Sequence, residues 1–349
     1  MAPFRQISEF TSSDGATGDL FGRSVALSSN LALVGADFKQ IGSNANQGAA
    51  YIFDVTNPIA PVQKSRLVAS DGAAGDLFGR SVALFGNFAL VGADSKQIGS
   101  NAGQGAAYIF DVTNPSAPVQ KARIVASDGA ANDIFGISVA LLGNLAFIGA
   151  EGFNSNQGAV YIFDVSVPSI PVQKAKFVAS DGTPGDFFGI SIAILGNLAL
   201  IGADGKKIGS NSNQGAAYIF DVTNPSAPVQ KSRLVASDGA ASDTFGASIA
   251  ILNSLVLVGA PVKTISFTGQ GAAYVFDVTN PSSPVQKFRL IASDGAKADA
   301  FGVSATLLGN LALIGADGKT IGSNSKQGEA YIFASSPISR YIGKQTISY

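Results

Sequence analysis

The chain has no cysteine, no histidine and no tryptophan, and only one methionine. Without cysteine, disulfides and thiolate metal sites are excluded. Without histidine, the commonest general base and the commonest transition-metal ligand are missing. Charge is also scarce. Charged residues make up 13 % of the chain, against roughly 25 % in an average globular domain. The 23 basic and 24 acidic residues nearly cancel, so the basic footprint of a nucleic-acid binder is absent. No apolar run is long enough to cross a bilayer as a helix. The polar opening, residues 1–10, does not read as a signal peptide.

Apolar residues are plentiful, at 46 %, with 41 glycines and 14 regularly placed prolines. Many short strands joined by tight turns have this profile. The order comes from a repeat. Phe-Gly recurs at Phe21, Phe78, Phe135, Phe188, Phe245 and Phe301, at spacings of 57, 57, 53, 57 and 56 residues. Copy two predicts strand A at 80–84, a turn at Gly86-Asn87, strand B at 88–93, strand C at 106–112 and strand D at 119–126. Gly and Asn tolerate the positive φ of a two-residue hairpin. Proline bounds the C–D turn because it cannot join a ladder.

One four-stranded meander cannot bury both of its faces. Six packed around an axis can. The expected fold is therefore all-β, a single six-bladed β-propeller over residues 1–336 with a tail at 337–349. Small Ser81 and Ala83 suit strand A to the crowded axis. Lysine and arginine on strand D, such as Lys64 and Arg66, suit an outer edge, where charge blocks further pairing. Copy six ends after strand C. Residues 5–11 stand in strand D register just ahead of Ser13-Asp14-Gly15, and the expectation is that they close the ring. The tail, whose Ser339-Arg340-Tyr341-Ile342 is similar to Ser65-Arg66-Leu67-Val68, is the rival.

Phe-Gly, an apolar strand and then Gly35-Ala36-Asp37 or Gly92-Ala93-Asp94 resembles the FG-GAP repeat of integrin α-subunit propellers. The string at 69–83 looks more like bacterial FG-GAP-type repeats, and Gly259-Ala260-Pro261 matches the GAP element literally. The resemblance implies an extracellular or cell-surface module that binds partners through one end of the ring. Integrin propellers have seven blades, not six. They also often carry a calcium loop between strands A and B, where this chain has only two residues. Two residues cannot wrap a cation that needs six to eight oxygens.

Of the acidic residues, 22 of 24 sit at repeat-fixed positions. Asp14, Asp71, Asp128, Asp181, Asp238 and Asp294 belong to Ser-Asp-Gly. Asp19, Asp76, Asp133, Asp186, Asp243 and Asp299 stand two before Phe-Gly. The bland reading is an Asx-turn in every blade. The sharper one is calcium held between the two loop carboxylates. Asp37, Asp94, Glu151, Asp204 and Asp317 follow strand B, and lysines Lys39, Lys96 and Lys206 stand nearby. These groups, with Phe267 of the divergent loop at 261–269, form the expected ligand-binding end. Copy three also departs, with a shortened loop at 152–157. No converging acid/base set is present, so an enzyme is not expected. The expectation is a monomeric, non-catalytic adhesion or binding module for a protein ligand, with no cofactor unless calcium binds. A multivalent glycan-binding lectin is the alternative, weakened by the lack of tryptophan for sugar stacking.

Overall fold

The computed structural model describes residues 8–28, 30–309 and 311–334. It is a six-bladed β-propeller of antiparallel sheets. Blade one contains Val25–Ser28, Leu31–Ala36, Ala49–Asp54 and Val62–Leu67 as strands A to D. Blade two contains Val82–Phe85, Phe88–Ala93, Ala106–Asp111 and Val119–Ile124. Strand A therefore starts two residues later than expected. Arg80 and Ser81 form a bend there, and the Ser81 hydroxyl reaches the next blade, donating to the Gly136 carbonyl at 2.8 Å. The A strands of successive blades touch, so strand A is innermost and strand D lies at the rim.

In blades one to five, strands B and C are buried at nearly every position, whereas in blade six they are largely half-buried or exposed. They lie between neighbouring blades, which is why they read as unbroken apolar runs. Leu33, Ile52 and Leu67 of blade one meet Val82, Leu84, Tyr108 and Phe110 of blade two. The two motifs of the repeat staple this junction. Phe78 is fully buried. Its N–H donates to the Gln47 carbonyl of blade one at 2.9 Å, and its ring meets Tyr108 edge-on at 5.5 Å. Burying such a side chain contributes about 1.5–3 kcal/mol. Gly92 of the Gly-Ala element must be glycine, because a Cβ there would lie 2.0 Å from the Gly136 carbonyl oxygen of blade three.

Blade six shows three strands among the described residues, Ser304–Leu308, Leu311–Ala316 and Glu329–Ala334. Of the expected closing strand, residues 5–7 lie outside the described residues, and residues 8–11 have no strand assignment. The tail at 337–349 lies outside them altogether. Residues 8–13 nevertheless dock on blade one as each strand D docks on the following blade. The Ser8 hydroxyl donates to the Pro58 carbonyl at 2.7 Å, as Ser65 does to Pro115. The Ser13 N–H donates to Gln63 at 2.9 Å, as Ser70 does to Gln120. Phe10 stacks on Phe53 at 4.6 Å, as Phe177 does on Phe220. The junction of blades six and one is looser than the others. Val25 is 70 % exposed, whereas its counterpart Val82 is 9 % exposed. A cleft of about 550 Å³ separates residues 20–23 from Asp317 and residues 326–328.

Candidate functional site

At the end carrying the D–A and B–C loops, each blade builds a polar anchor. In blade two, Lys96 Nζ donates to Asp76 Oδ2 at 2.8 Å and to the main-chain carbonyl of Asp71. Asp76 also accepts the Ala73 N–H at 2.6 Å. Asp71 accepts the Tyr108 hydroxyl at 2.8 Å and pairs with Arg123 of strand D. The same lysine–aspartate contact recurs as Lys39–Asp19, Lys206–Asp186, Lys263–Asp243 and Lys319–Asp299, at 2.8–3.1 Å.

This geometry changes the reading of several residues. Lys39, Lys96 and Lys206, expected on an open loop face, are buried with their ammonium groups spent inside their own blades. Their position at the base of the B–C loop, beneath the D–A loop, puts them there. The Ser-Asp-Gly aspartates do not cap a local turn with their carboxylates. Asp14, Asp71, Asp181 and Asp238 instead bind a tyrosine hydroxyl and a strand D arginine. Asp128 binds Tyr161 and Lys176, and Asp294 binds Tyr331 and Lys319. Burial pushes Asp71 up, but Tyr108 and Arg123 outweigh it and hold its carboxyl below the ordinary value. In five blades an ammonium sits between the two loop aspartates that the alternative calcium reading would have bridged.

Blade three breaks the pattern. Phe153 stands where the lysine belongs, its carbonyl accepting the Gly158 N–H as the Lys96 carbonyl accepts that of Gly105. Lys176 lies over its ring at 4.2 Å. Asp133 stays buried with no ion pair among the described residues, and burial raises its carboxyl above the ordinary value. Sequence reasoning missed Lys263 and the six tyrosines. Both were marked, the lysine by its place three residues after Gly-Ala and the tyrosine by its fixed position in strand C.

A second group lies nearer the axis, where strands B end. Asp37 is fully buried, and neither carboxylate oxygen receives a hydrogen bond. Arg23 and Arg80 stand off at 3.8 and 3.9 Å, and Arg80 also reaches Asp94 at 3.4 Å. Burial raises Asp37 and lifts Asp94 to about 6. Burial, with Asp204 and Asp94 nearby, lifts Glu151 to about 7. Burial lifts Asp204 to about 6. Asp317 is exposed, and blade five has Pro261 at this position. Phe267, on the divergent loop, is 52 % exposed. Among the described residues no three carboxylates converge as a metal site.

The family model of the FG-GAP repeat matches residues 4–53, 61–110, 118–163, 171–220, 228–276 and 284–333. The chain belongs to the FG-GAP repeat family. Each matched unit of this FG-GAP propeller begins at strand D and ends at strand C, so the first unit begins with the segment in strand D register. No curated protein matches the chain. Among solved structures it is similar to a hypothetical selenium-binding protein from Sulfolobus tokodaii, with a TM-score of 0.56 at 9 % identity, over 88 % of this chain and 72 % of that one. That likeness is one of fold alone.

Proposed function

We propose that this FG-GAP propeller is a non-catalytic binding module that works outside the cell and recognises a protein ligand through its D–A and B–C loop end. The observation that carries this reading is that variation between blades is concentrated there. The opposite end repeats a closed turn: Asp54 accepts the Thr56 N–H at 3.0 Å and pairs with Lys64 at 3.2 Å, and the other complete blades do the same with their own residues. The loop end carries the short blade-three loop, exposed Phe267 and the axial carboxylates. Specific recognition needs such a patch on a rigid frame. A lectin with equal pockets in each blade is less favoured, because the repeated loops are filled by their own lysines.

The test exchanges residues 261–269 for 94–103, a swap that surface loops tolerate. A partner captured by the intact propeller from extracellular material should be lost by the swap and kept when Asn57, Asn114 or Asn224 is changed. The opposite pattern places recognition at the other end and overturns the reading.

A further inference from the structure

Five of the six blade junctions are closed by the same three main-chain bonds, and the sixth is not. Between blades one and two, the N–H groups of Gly75, Leu77 and Phe78 donate to the carbonyls of Ala45, Asn46 and Gln47 at 2.9–3.2 Å. The next four junctions repeat this set with their own residues at 2.8–3.2 Å. Between blades six and one the corresponding donors are Gly18, Leu20 and Phe21, and the corresponding acceptors are Ser325, Lys326 and Gln327. None of these bonds forms, and none of the six groups has another main-chain partner among the described residues. The apolar walls are parted as well. Val25 and Leu27 of blade one are 70 and 71 % exposed, whereas Val82 and Leu84 pack against the preceding blade at 9 %. Across the gap, Leu313 and Ile332 of blade six are 43 and 51 % exposed, whereas Leu90 and Ile109 are fully buried against the following blade. A Cβ on Gly92 would strike the Gly136 carbonyl, but one on Gly315 would meet nothing of blade one. The cleft of about 550 Å³ is the mouth of this gap at the loop end.

We propose that this cleft binds an extended peptide segment of the protein ligand, with apolar side chains at alternate positions and a carboxylate between them. This rests on the loop end being the recognition end. An extended backbone presents N–H and C=O groups along both of its edges. It can donate to the carbonyls of 325–327 on one wall and accept from the N–H groups of 18, 20 and 21 on the other. A helix has its own backbone groups paired and would leave both walls unsatisfied. Side chains of an extended segment alternate in direction. One set enters between the exposed apolar residues of blades one and six, and the other faces the mouth. There Lys326 is exposed and has no ion pair among the described residues. The other blades have asparagine or glycine at its position, so this charge is particular to the open junction. Arg23 lines the facing wall and Asp317 is the one carboxylate of the lining, which leaves the mouth cationic.

The test starts with hydrogen exchange of the intact chain. Amides 18, 20 and 21 should exchange at least about tenfold faster than 75, 77 and 78, their closed counterparts. The probe is acetyl-Thr-Val-Glu-Val-Thr-amide, titrated calorimetrically. It should bind saturably and slow exchange at 18–21. The same peptide N-methylated at both valines lacks two main-chain donors and should bind at least about tenfold more weakly. Lys326→Gln, at an exposed site, should weaken binding without changing the melting curve. The chain has no cysteine, so Gly18→Cys with Ser325→Cys makes a reversible lock. Their counterparts Gly75 and Ala45 are bonded neighbours at 2.9 Å. The oxidised lock should lose the peptide and the reduced form should regain it. Amides 18–21 as protected as 75–78 in the free protein, no saturable peptide binding, or binding that survives the oxidised lock overturns the proposal. Protection that grows with protein concentration would put a second copy in the cleft, and protection lost on deleting residues 337–349 would put the tail there. Either result also overturns it. If partner capture stays sensitive to the 261–269 exchange while the peptide fails to bind, only this inference falls. If the peptide binds and capture ignores the exchange, only the earlier reading falls.

Discussion

Asp76 is 3 % exposed and relies on one ammonium, that of Lys96, for its charge balance. Lys96→Met keeps the length of the stem and removes the ammonium. It leaves a buried carboxylate uncompensated, which costs about 3–5 kcal/mol. Adding Asp76→Asn should recover a good part of that loss, because the uncompensated charge is then gone. Phe153→Met in blade three should cost less, since no ion pair is broken there. Urea unfolding measures all three. Equal losses for Lys96→Met and Phe153→Met would show that the lysine only fills space. The position of these lysines was legible in the sequence but their role was not. A lysine in a glycine-rich polar loop looks solvated, and only the fold brings the Asp71 carbonyl and the Asp76 carboxylate onto it. The axial group was half legible. Spacing put Asp37, Asp94, Glu151 and Asp204 in one series, whereas the split between arginine and isoleucine neighbours acquires meaning only when the strands converge.

The strands themselves were written plainly, B and C above all. Strand B of blade two falls on the expected 88–93, and strand C ends one residue early, at Asp111. Burial on both faces demands an unbroken apolar run, and such a run has sharp ends. Strand A of blade two starts two residues later than expected because Arg80 and Ser81 lie in a bend there, whereas in blades three and four the strand runs unbroken from Phe135 and Phe188. The closing strand is where sequence carries more than the described residues do. Deleting residues 1–11 removes Phe10 from its contacts with Phe21 and Phe53. It also removes the Ser8 bond to Pro58. The segment is in strand D register, so its loss should expose the edge of blade six as well as these groups. We expect the melting temperature to fall by several degrees or more, and deletion of residues 337–349 to do much less. If the first deletion is silent and the second unfolds the chain, the tail is the closing strand.

For the whole molecule, two sets of carboxylates pull stability in opposite directions with pH. Asp54, Asp111, Asp164 and Asp221 at the rim are held near 2, chiefly by hydrogen bonds from Thr56, Thr113, Ser166 and Thr223. Their folded values lie below the ordinary carboxylate value. Their contribution is therefore present above about pH 4 and is lost as the pH falls toward 2. Asp94, Glu151 and Asp204 at the axis are raised to about 6, 7 and 6. For these the folded state holds the proton more tightly than the unfolded chain. Stability then falls as the pH rises from about 4 through 7, because folding keeps three carboxylates where their charge is poorly solvated. Each tenfold difference in proton affinity between the folded and unfolded chain corresponds to about 1.4 kcal/mol. Partial exposure and mutual coupling of the axial three reduce their sum to an order of a few kcal/mol between pH 5 and pH 8. The melting temperature should peak near pH 5 and fall on both sides. Glu151→Gln with Asp204→Asn should flatten the alkaline limb and leave the acid limb as it was, because the rim aspartates are untouched. Calorimetric melts from pH 3 to pH 9 decide the matter. A melting temperature that climbs from pH 5 to pH 8, or an alkaline limb that persists in the double variant, would mean that the axial carboxylates are ionised at no cost and that the axial mouth is better solvated than its burial implies.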